Sequence, residues 1–158
     1  MNIFLDEHKK LVSDMLVGRV EFILIGGYAV NFHGYNRTTG DLDVWLKPTT
    51  ENKHKLIKVF EKYDFEQESI AYIAQLNFSD ALVFSIGDEP YKTDFLTKVS
   101  GVKYDEADKE KIIFEHEGMF VPFINLNQLV LTKIATGRDR DRIDIEQLQK
   151  VQKAKNRK

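Results

Sequence analysis

Two aspartates one residue apart, Asp41 and Asp43, open the run DLDVWL. In extended backbone, alternate side chains leave the same face, so both carboxylates point one way. Two ionised carboxylates held side by side repel and call for a cation. Oxygen ligands of this kind suit a hard divalent ion such as Mg²⁺, which takes carboxylates together with substrate phosphates. Upstream, the pair Gly26-Gly27 closes an apolar run. Glycine lets the backbone approach a ligand closely, and a helix following it presents unpaired N–H groups at its positive end, a seat for phosphate. A third carboxylate, Asp94 in YKTDFL, stands in the middle of another strand-like run. Aspartate forms strands poorly, so that position asks for a reason. Three such carboxylates can hold two Mg²⁺ ions roughly 3.5–4 Å apart, one at an attacking oxygen and one at a triphosphate. The plainer reading of each feature is a tight turn at Gly26-Gly27 and solvated aspartates on strands.

Other polar residues divide between the two kinds of reading. Arg37, in the loop before Asp41, either reaches a phosphate or pairs with Asp41 or Asp43. Thr38 and Thr39 order that loop, and His33 reads as a structural histidine at a helix end. Lys133 borders the apolar face of its helix and either points at a triphosphate or pairs with Asp141 or Asp144, the ion pair being the favoured reading. The run Arg138 to Arg142 reads as a solvated, self-paired turn. Trp45 shares the face of the aspartates and either stacks on a base or, the favoured reading, packs in the core.

These residues need elements to hold them. Residues 3–16 carry an amphipathic helical pattern. Val20–Ile25 is a β-branched, apolar run that reads as a buried strand. Gly26-Gly27 ends it, and Tyr28–His33 forms a short helix closed by Gly34. Asp41–Leu46 is the next strand, with Leu42, Val44 and Leu46 opposite the aspartates. Pro48 and Thr49-Thr50 start a helix to about Tyr63, and a weaker helical pattern covers 66–77. Leu82–Ile86 and Tyr91–Thr97 read as a hairpin, as do Lys111–Glu117 and Met119–Phe123 about Gly118. Residues 103–109 form a short polar helix or turn. Asn125 caps a helix to Thr136, with Gln128 placed for a capping box and Ile124 and Leu129 for a hydrophobic staple. Gly137 breaks it, and a last helix runs from about Asp141. The sum is an α+β fold: a mixed, twisted sheet of four to six strands with helices packed against it and a helical C-terminal part from about residue 125.

Composition agrees with one domain over residues 1–158. Hydrophobic residues make up 42% and charged residues 30%, with a formal net charge of −2. That balance excludes binding nucleic acid by bulk charge alone. The one basic stretch is the tail, residues 150–158, read as a frayed, solvated helix end. There are no cysteines, so disulfides and cysteine-built zinc sites are excluded. No apolar run reaches the length of a membrane span, and the N-terminus lacks the pattern of a signal peptide. A soluble cytoplasmic chain with no membrane partner is the expectation.

The spacing of Ile25-Gly26-Gly27 and Asp41-Leu42-Asp43-Val44, with Asp94 on a later strand, resembles the signature of the DNA polymerase beta-type nucleotidyltransferase superfamily. The fuller stretch GGYAVNFHGYNRTTGDLD, and the ending LNQLVLTKIATGRDRDRIDIEQL, resemble its minimal bacterial members, close to the abortive-infection toxin-like group. The resemblance implies Mg²⁺-dependent transfer of a nucleoside monophosphate from an NTP to an acceptor hydroxyl on a protein, a tRNA end or a small molecule, with release of pyrophosphate. It implies that Gly26 and Gly27 hold the triphosphate and that Asp41, Asp43 and Asp94 bind metal, Asp94 also taking the acceptor's proton. It also implies a toxin–antitoxin or phage-defence setting with a possible cognate partner protein. Many members of the superfamily have Gly-Ser where this chain has Gly-Gly, and the polymerases and tRNA-processing members carry extra domains for which this chain has no room. A non-catalytic nucleotide-binding or antitoxin-like module that keeps the fold is the alternative.

Overall fold

The computed structural model describes residues 4–156. Its centre is β1 (Phe22–Ile25), four consecutive apolar residues that are all buried. A strand without a polar face must be covered on both sides. Here it lies inside a six-stranded sheet of order β3-β4-β2-β1-β6-β5. β2 (Leu42–Leu46) runs antiparallel to β1, with Ile25 opposite Asp43. β4 (Thr93–Leu96) runs parallel to β2, and β6 (Met119–Phe123) parallel to β1. Each of these brings in an outer antiparallel neighbour, β3 (Val83–Ile86) beside β4 and β5 (Ile112–His116) beside β6. The sheet is mixed and six-stranded, at the top of the expected range.

Seven helices complete the α+β fold among the described residues: α1 (Asp6–Val17), α2 (Gly26–Phe32), α3 (Thr50–Phe60), α4 (Gln67–Gln75), α5 (Tyr104–Glu110), α6 (Leu126–Thr136) and α7 (Asp139–Asn156). None of them is long and apolar enough to cross a membrane. The amphipathic N-terminal pattern becomes α1, its expected start at residue 3 lying outside the described residues. α3 is held at its start by Thr49, whose hydroxyl accepts the Asn52 N–H. Asn52 is buried and ties the edges of two strands together, accepting from Glu21 N and donating to Glu21 O and Lys47 O.

Several local expectations are corrected. Gly26-Gly27 is not a turn preceding a helix; the two glycines are the first residues of α2. Tyr91 and Lys92 belong to the β3–β4 turn, because pairing closes at Ile86 with Thr93. The β5–β6 hairpin closes as expected through Glu117-Gly118, both at positive φ (50° and 82°), the geometry a two-residue turn needs to match strand twist. Asn125 caps α6 by accepting the Gln128 N–H at 2.8 Å, but the Gln128 side chain turns to the Glu106 carbonyl instead of back to the cap, so half of the capping box forms. α7 begins at Asp139, two residues earlier than expected, and runs through Asn156 with its end exposed; Arg157 and Lys158 lie outside the described residues.

Gly137 ends α6 in the left-handed region, at φ 62°, with its N–H donated to the Lys133 carbonyl. A Cβ there meets only the Ile134 carbonyl, at 3.8 Å, so the cost of a side chain lies in the backbone conformation and not in crowding. Gly137→Ala should lower unfolding free energy by about 1–2 kcal/mol, read by chemical denaturation. A change below about 0.3 kcal/mol would show that the α6–α7 junction does not depend on that conformation.

Candidate active site

The strand pattern delivers the aspartates as a set. In β2, Leu42, Val44 and Leu46 are buried, whereas Asp43 is half-buried on the opposite face. In the parallel pairing of β2 and β4, Asp43 is the direct partner of Asp94. Neighbouring strands lie about 4.8 Å apart, so these carboxylates stand side by side. Asp41, two residues before Asp43, follows on the same face. Thr93 and Phe95, flanking Asp94, point into the core. Asp94 is therefore the strand-face residue its position called for.

Gly26 meets this group from β1's end. It has φ 67°, and a Cβ on it would collide with the Asp43 carboxylate. One on Gly27 would collide with the Thr39 hydroxyl, in the loop leading to Asp41. The glycines thus make room first for the chain's own Asp43 and Thr39. They also open one wall of a cavity of about 620 Å³. The seven residues expected to hold metal or phosphate all line it: Gly26, Gly27, Arg37, Asp41, Asp43, Asp94 and Lys133. Val83, Leu96 and Val99 give it an apolar patch beside Asp94, and Lys98, Arg138 and Arg140 place exposed cations on its wall.

The opposite wall is an ion network at the α6–α7 junction. Arg37 donates from Nε and Nη2 to the two carboxylate oxygens of Asp144, at 2.9 and 3.1 Å. Its partner is neither Asp41 nor Asp43. Lys133 Nζ lies 2.8 Å from Asp144 Oδ2 and 3.3 Å from Asp141 Oδ1. Asp141 also accepts from the Thr136 hydroxyl at 2.6 Å and from Arg138 Nε at 2.8 Å. The ion-pair reading of Lys133 therefore holds, and the residue also lines the cavity. The run from Arg138 to Arg142 is mostly solvated and self-paired, as expected: Arg138, Asp139, Arg140 and Arg142 are exposed, and the pairs Arg138–Asp141 and Arg142–Asp139 lie within it. The corrections are that it leads into the first turn of α7 and that Asp141 is fully buried. Burial alone would raise the Asp141 carboxyl. Hydrogen bonds from Arg138 and Thr136, with the charge of Lys133, outweigh it and hold the group below the usual carboxylate range.

The aspartate wall behaves in the opposite way. Burial pushes the Asp43 carboxyl up to about 7, and the charges of Asp94 and Asp41 push the same way, with Lys133 and Arg138 opposing. A carboxylate so poorly compensated is a ready ligand for a cation. Asp94 Oδ1 accepts from the Ser85 hydroxyl and lies 3.3 Å from Lys92 Nζ, which is also 3.9 Å from Asp41 Oδ2. Asp94 and Asp41 hold the Lys92 ammonium above its ordinary value. A hydrogen bond to Asp41 raises the Glu89 carboxyl in turn. Oxygen donors on adjacent strands fit Mg²⁺ in chemistry. As the side chains stand, however, no three carboxylate or imidazole groups among the described residues close on one point.

Trp45 takes no part. It is buried, packs edge-on against Tyr104 at 5.4 Å and donates to the Thr97 carbonyl at 3.4 Å, so base stacking is ruled out. His33 is structural, its Nε2 2.7 Å from the Ile124 carbonyl. Sequence reasoning passed over Lys92, Ser85, Glu89 and Lys98, and gave Arg138 and Arg140 no part in the site. Lys92 was legible from its i, i+2 spacing to Asp94; Ser85 needed the hairpin register, and Glu89 and Lys98 left no signal.

No protein-family model and no curated protein matches the chain. Among solved structures, it is similar to the crystal structure of a "putative nucleotidyltransferase" from Thermotoga maritima, at 13% identity and a TM-score of 0.59, over 96% of this chain and 91% of that one. The residues differ almost throughout and the path of the chain is kept, so the likeness is one of architecture: this chain has a nucleotidyltransferase-like fold.

Proposed function

We propose that the cavity transfers a nucleoside monophosphate from an NTP to an acceptor hydroxyl. The observation that carries this is the meeting, in one cavity, of three aspartates on adjacent strands with a glycine-lined edge and a cationic wall. Asp41, Asp43 and Asp94 would hold Mg²⁺, two ions in the fullest form, which would neutralise the triphosphate and the developing charge. The residues of the chain do the rest by position and charge. Arg138 and Arg140, exposed on the cavity wall, receive the phosphates; Arg37 and Lys133, held by Asp144 and Asp141, add fixed positive charge behind them. Asp94 takes the proton of the acceptor hydroxyl. The acceptor oxygen bonds to the α-phosphorus, the bond from that phosphorus to the oxygen leading to the β-phosphate breaks, and pyrophosphate leaves. Val83, Leu96 and Val99 offer an apolar surface to the base or the acceptor.

The acceptor class we propose is a protein, a tRNA end or a small molecule. A cytoplasmic, toxin-like setting with a cognate partner protein fits the resemblance of the sequence. A non-catalytic nucleotide-binding module is the second reading, favoured by one observation: Lys92, Glu89 and Ser85 already engage Asp41 and Asp94.

Incubating the full chain with Mg²⁺, each α-labelled NTP in turn and a cell lysate separates these readings. Label on a discrete acceptor, absent with Asp41→Ala, is the expected result. If nucleotides raise the melting temperature and no label is transferred, the second reading stands. If neither occurs, both fail.

A further inference from the structure

Lys92 has no role in the reaction as proposed, yet it is paired with two of the three aspartates. It lies in the β3–β4 turn, two residues before Asp94. Its Nζ reaches Asp94 Oδ1 at 3.3 Å and Asp41 Oδ2 at 3.9 Å, two carboxylates from neighbouring strands. Among the described residues it is the one cation paired with either. The lysines and arginines that line the cavity are placed differently: Lys133 is buried and bound to Asp141 and Asp144, Arg37 is bound to Asp144 and Arg138 to Asp141, and Lys98 and Arg140 pair with neither Asp41 nor Asp94. The Lys92 side chain, by contrast, is 37% exposed and hangs from a turn. An ammonium on a flexible stem at that exposure exchanges partners at little cost.

We propose that Lys92 is the internal counterion of this site: its ammonium bridges Asp41 and Asp94 in the metal-free protein and withdraws when a divalent cation binds, so that Lys92 sets the affinity for that cation. The physical reason is direct. An ammonium and a divalent ion cannot share the space between two carboxylates, because like charges so close together repel strongly. This inference rests on the metal-binding reading of the three aspartates.

The test is a calorimetric titration of the metal-free full chain with Mn²⁺, without nucleotide, at fixed pH and ionic strength. Lys92→Met, which keeps the stem and removes the charge, should bind Mn²⁺ about tenfold more tightly than the wild type or better. Lys92→Arg should stay within about threefold of the wild type, and so should Lys98→Met, which removes a charge from the cavity lining that is paired with neither aspartate. A second reading of the same proteins is thermal: metal-free Lys92→Met should melt below the wild type and recover fully with Mn²⁺. Circular dichroism identifies any variant that fails to fold. Equal tightening by Lys92→Met and Lys98→Met would mean that only the general field of the cavity matters, and would overturn the proposal. So would unchanged affinity in Lys92→Met while Asp43→Asn abolishes binding, which leaves the metal reading intact. Absence of Mn²⁺ binding to wild type and Lys92→Met alike, up to millimolar concentration, would remove both.

Discussion

Asp43→Asn should reduce nucleotidyl transfer by roughly a hundred- to a thousandfold or more, while making the metal-free protein more stable at alkaline pH. The first effect follows from the proposed role: the amide keeps the shape of the side chain and cannot supply the charge on which metal and triphosphate binding depend. The second follows from the environment of the group. The Asp43 carboxyl stands at about 7, against an ordinary value of 3.8, because it is buried beside Asp94 and Asp41. A carboxyl whose folded value is raised holds its proton more tightly in the folded chain. Its favourable contribution is complete below the ordinary value and is lost as pH rises through about 7. The asparagine variant never ionises and escapes that loss. Its melting temperature should therefore match the wild type near pH 4 and exceed it by several degrees at pH 8, a difference on the order of a few kcal/mol at most. Mg²⁺ should raise the wild type at pH 8 and leave the variant unchanged. An Asp43→Asn protein that transfers label at the wild-type rate would end the catalytic reading of the aspartates. Equal stability of the two proteins at pH 8 would mean that Asp43 already has a compensating partner.

Asp144→Ala should cost about 3–5 kcal/mol of unfolding free energy, measured by chemical denaturation. Asp144 is buried and shared between Arg37 and Lys133, whose side chains are only 14% and 7% exposed. Removing the carboxylate strands the Arg37 guanidinium where water is largely excluded and leaves Lys133 with Asp141 alone, and that uncompensated charge is the larger part of the loss. Arg138→Ala makes the contrast. Its side chain is 70% exposed although it also binds a buried aspartate, so its removal should cost about 1 kcal/mol or less. The pair of measurements separates the two ends of the network: Asp144 joins the loop before β2 to α7 and so holds the cavity's wall, whereas Arg138 is free to leave Asp141 for an anionic ligand. A loss below about 1 kcal/mol in Asp144→Ala would show that the network is dispensable to the fold.

Much of the architecture was legible because its patterns are local. β1 announced itself as four apolar residues, and the alternation in DLDVWL settled which side of β2 carries the carboxylates. Asn125 and Gly137 marked the two ends of α6, the first through its side-chain acceptor and the second through a left-handed backbone. The errors fall where a residue's partner is remote. Arg37 was read against the acids nearest in sequence, and its partner lies 107 residues away on α7. The Arg138–Arg142 run was read as solvated because its composition is charged, yet one of its aspartates is fully buried. Helical periodicity placed Asp141 and Asp144 on the face of Leu148 and made them the favoured partners of Lys133, but nothing in it brought Arg37 to meet them.

By itself, then, the sequence determined the aspartate face, the glycine pair, the main elements and the α+β class, because each rests on an interval of a few residues and on propensities that act within one element. Tertiary structure decided what those groups touch. The parallel pairing of β2 with β4 put Asp94 beside Asp43, the packing of α6 and α7 took Lys133 and Arg37 into an ion network, and the β3–β4 turn laid Lys92 across Asp41 and Asp94. The physical reason is that charge interactions depend on separation in space and on exposure to water, and neither is set by separation along the chain.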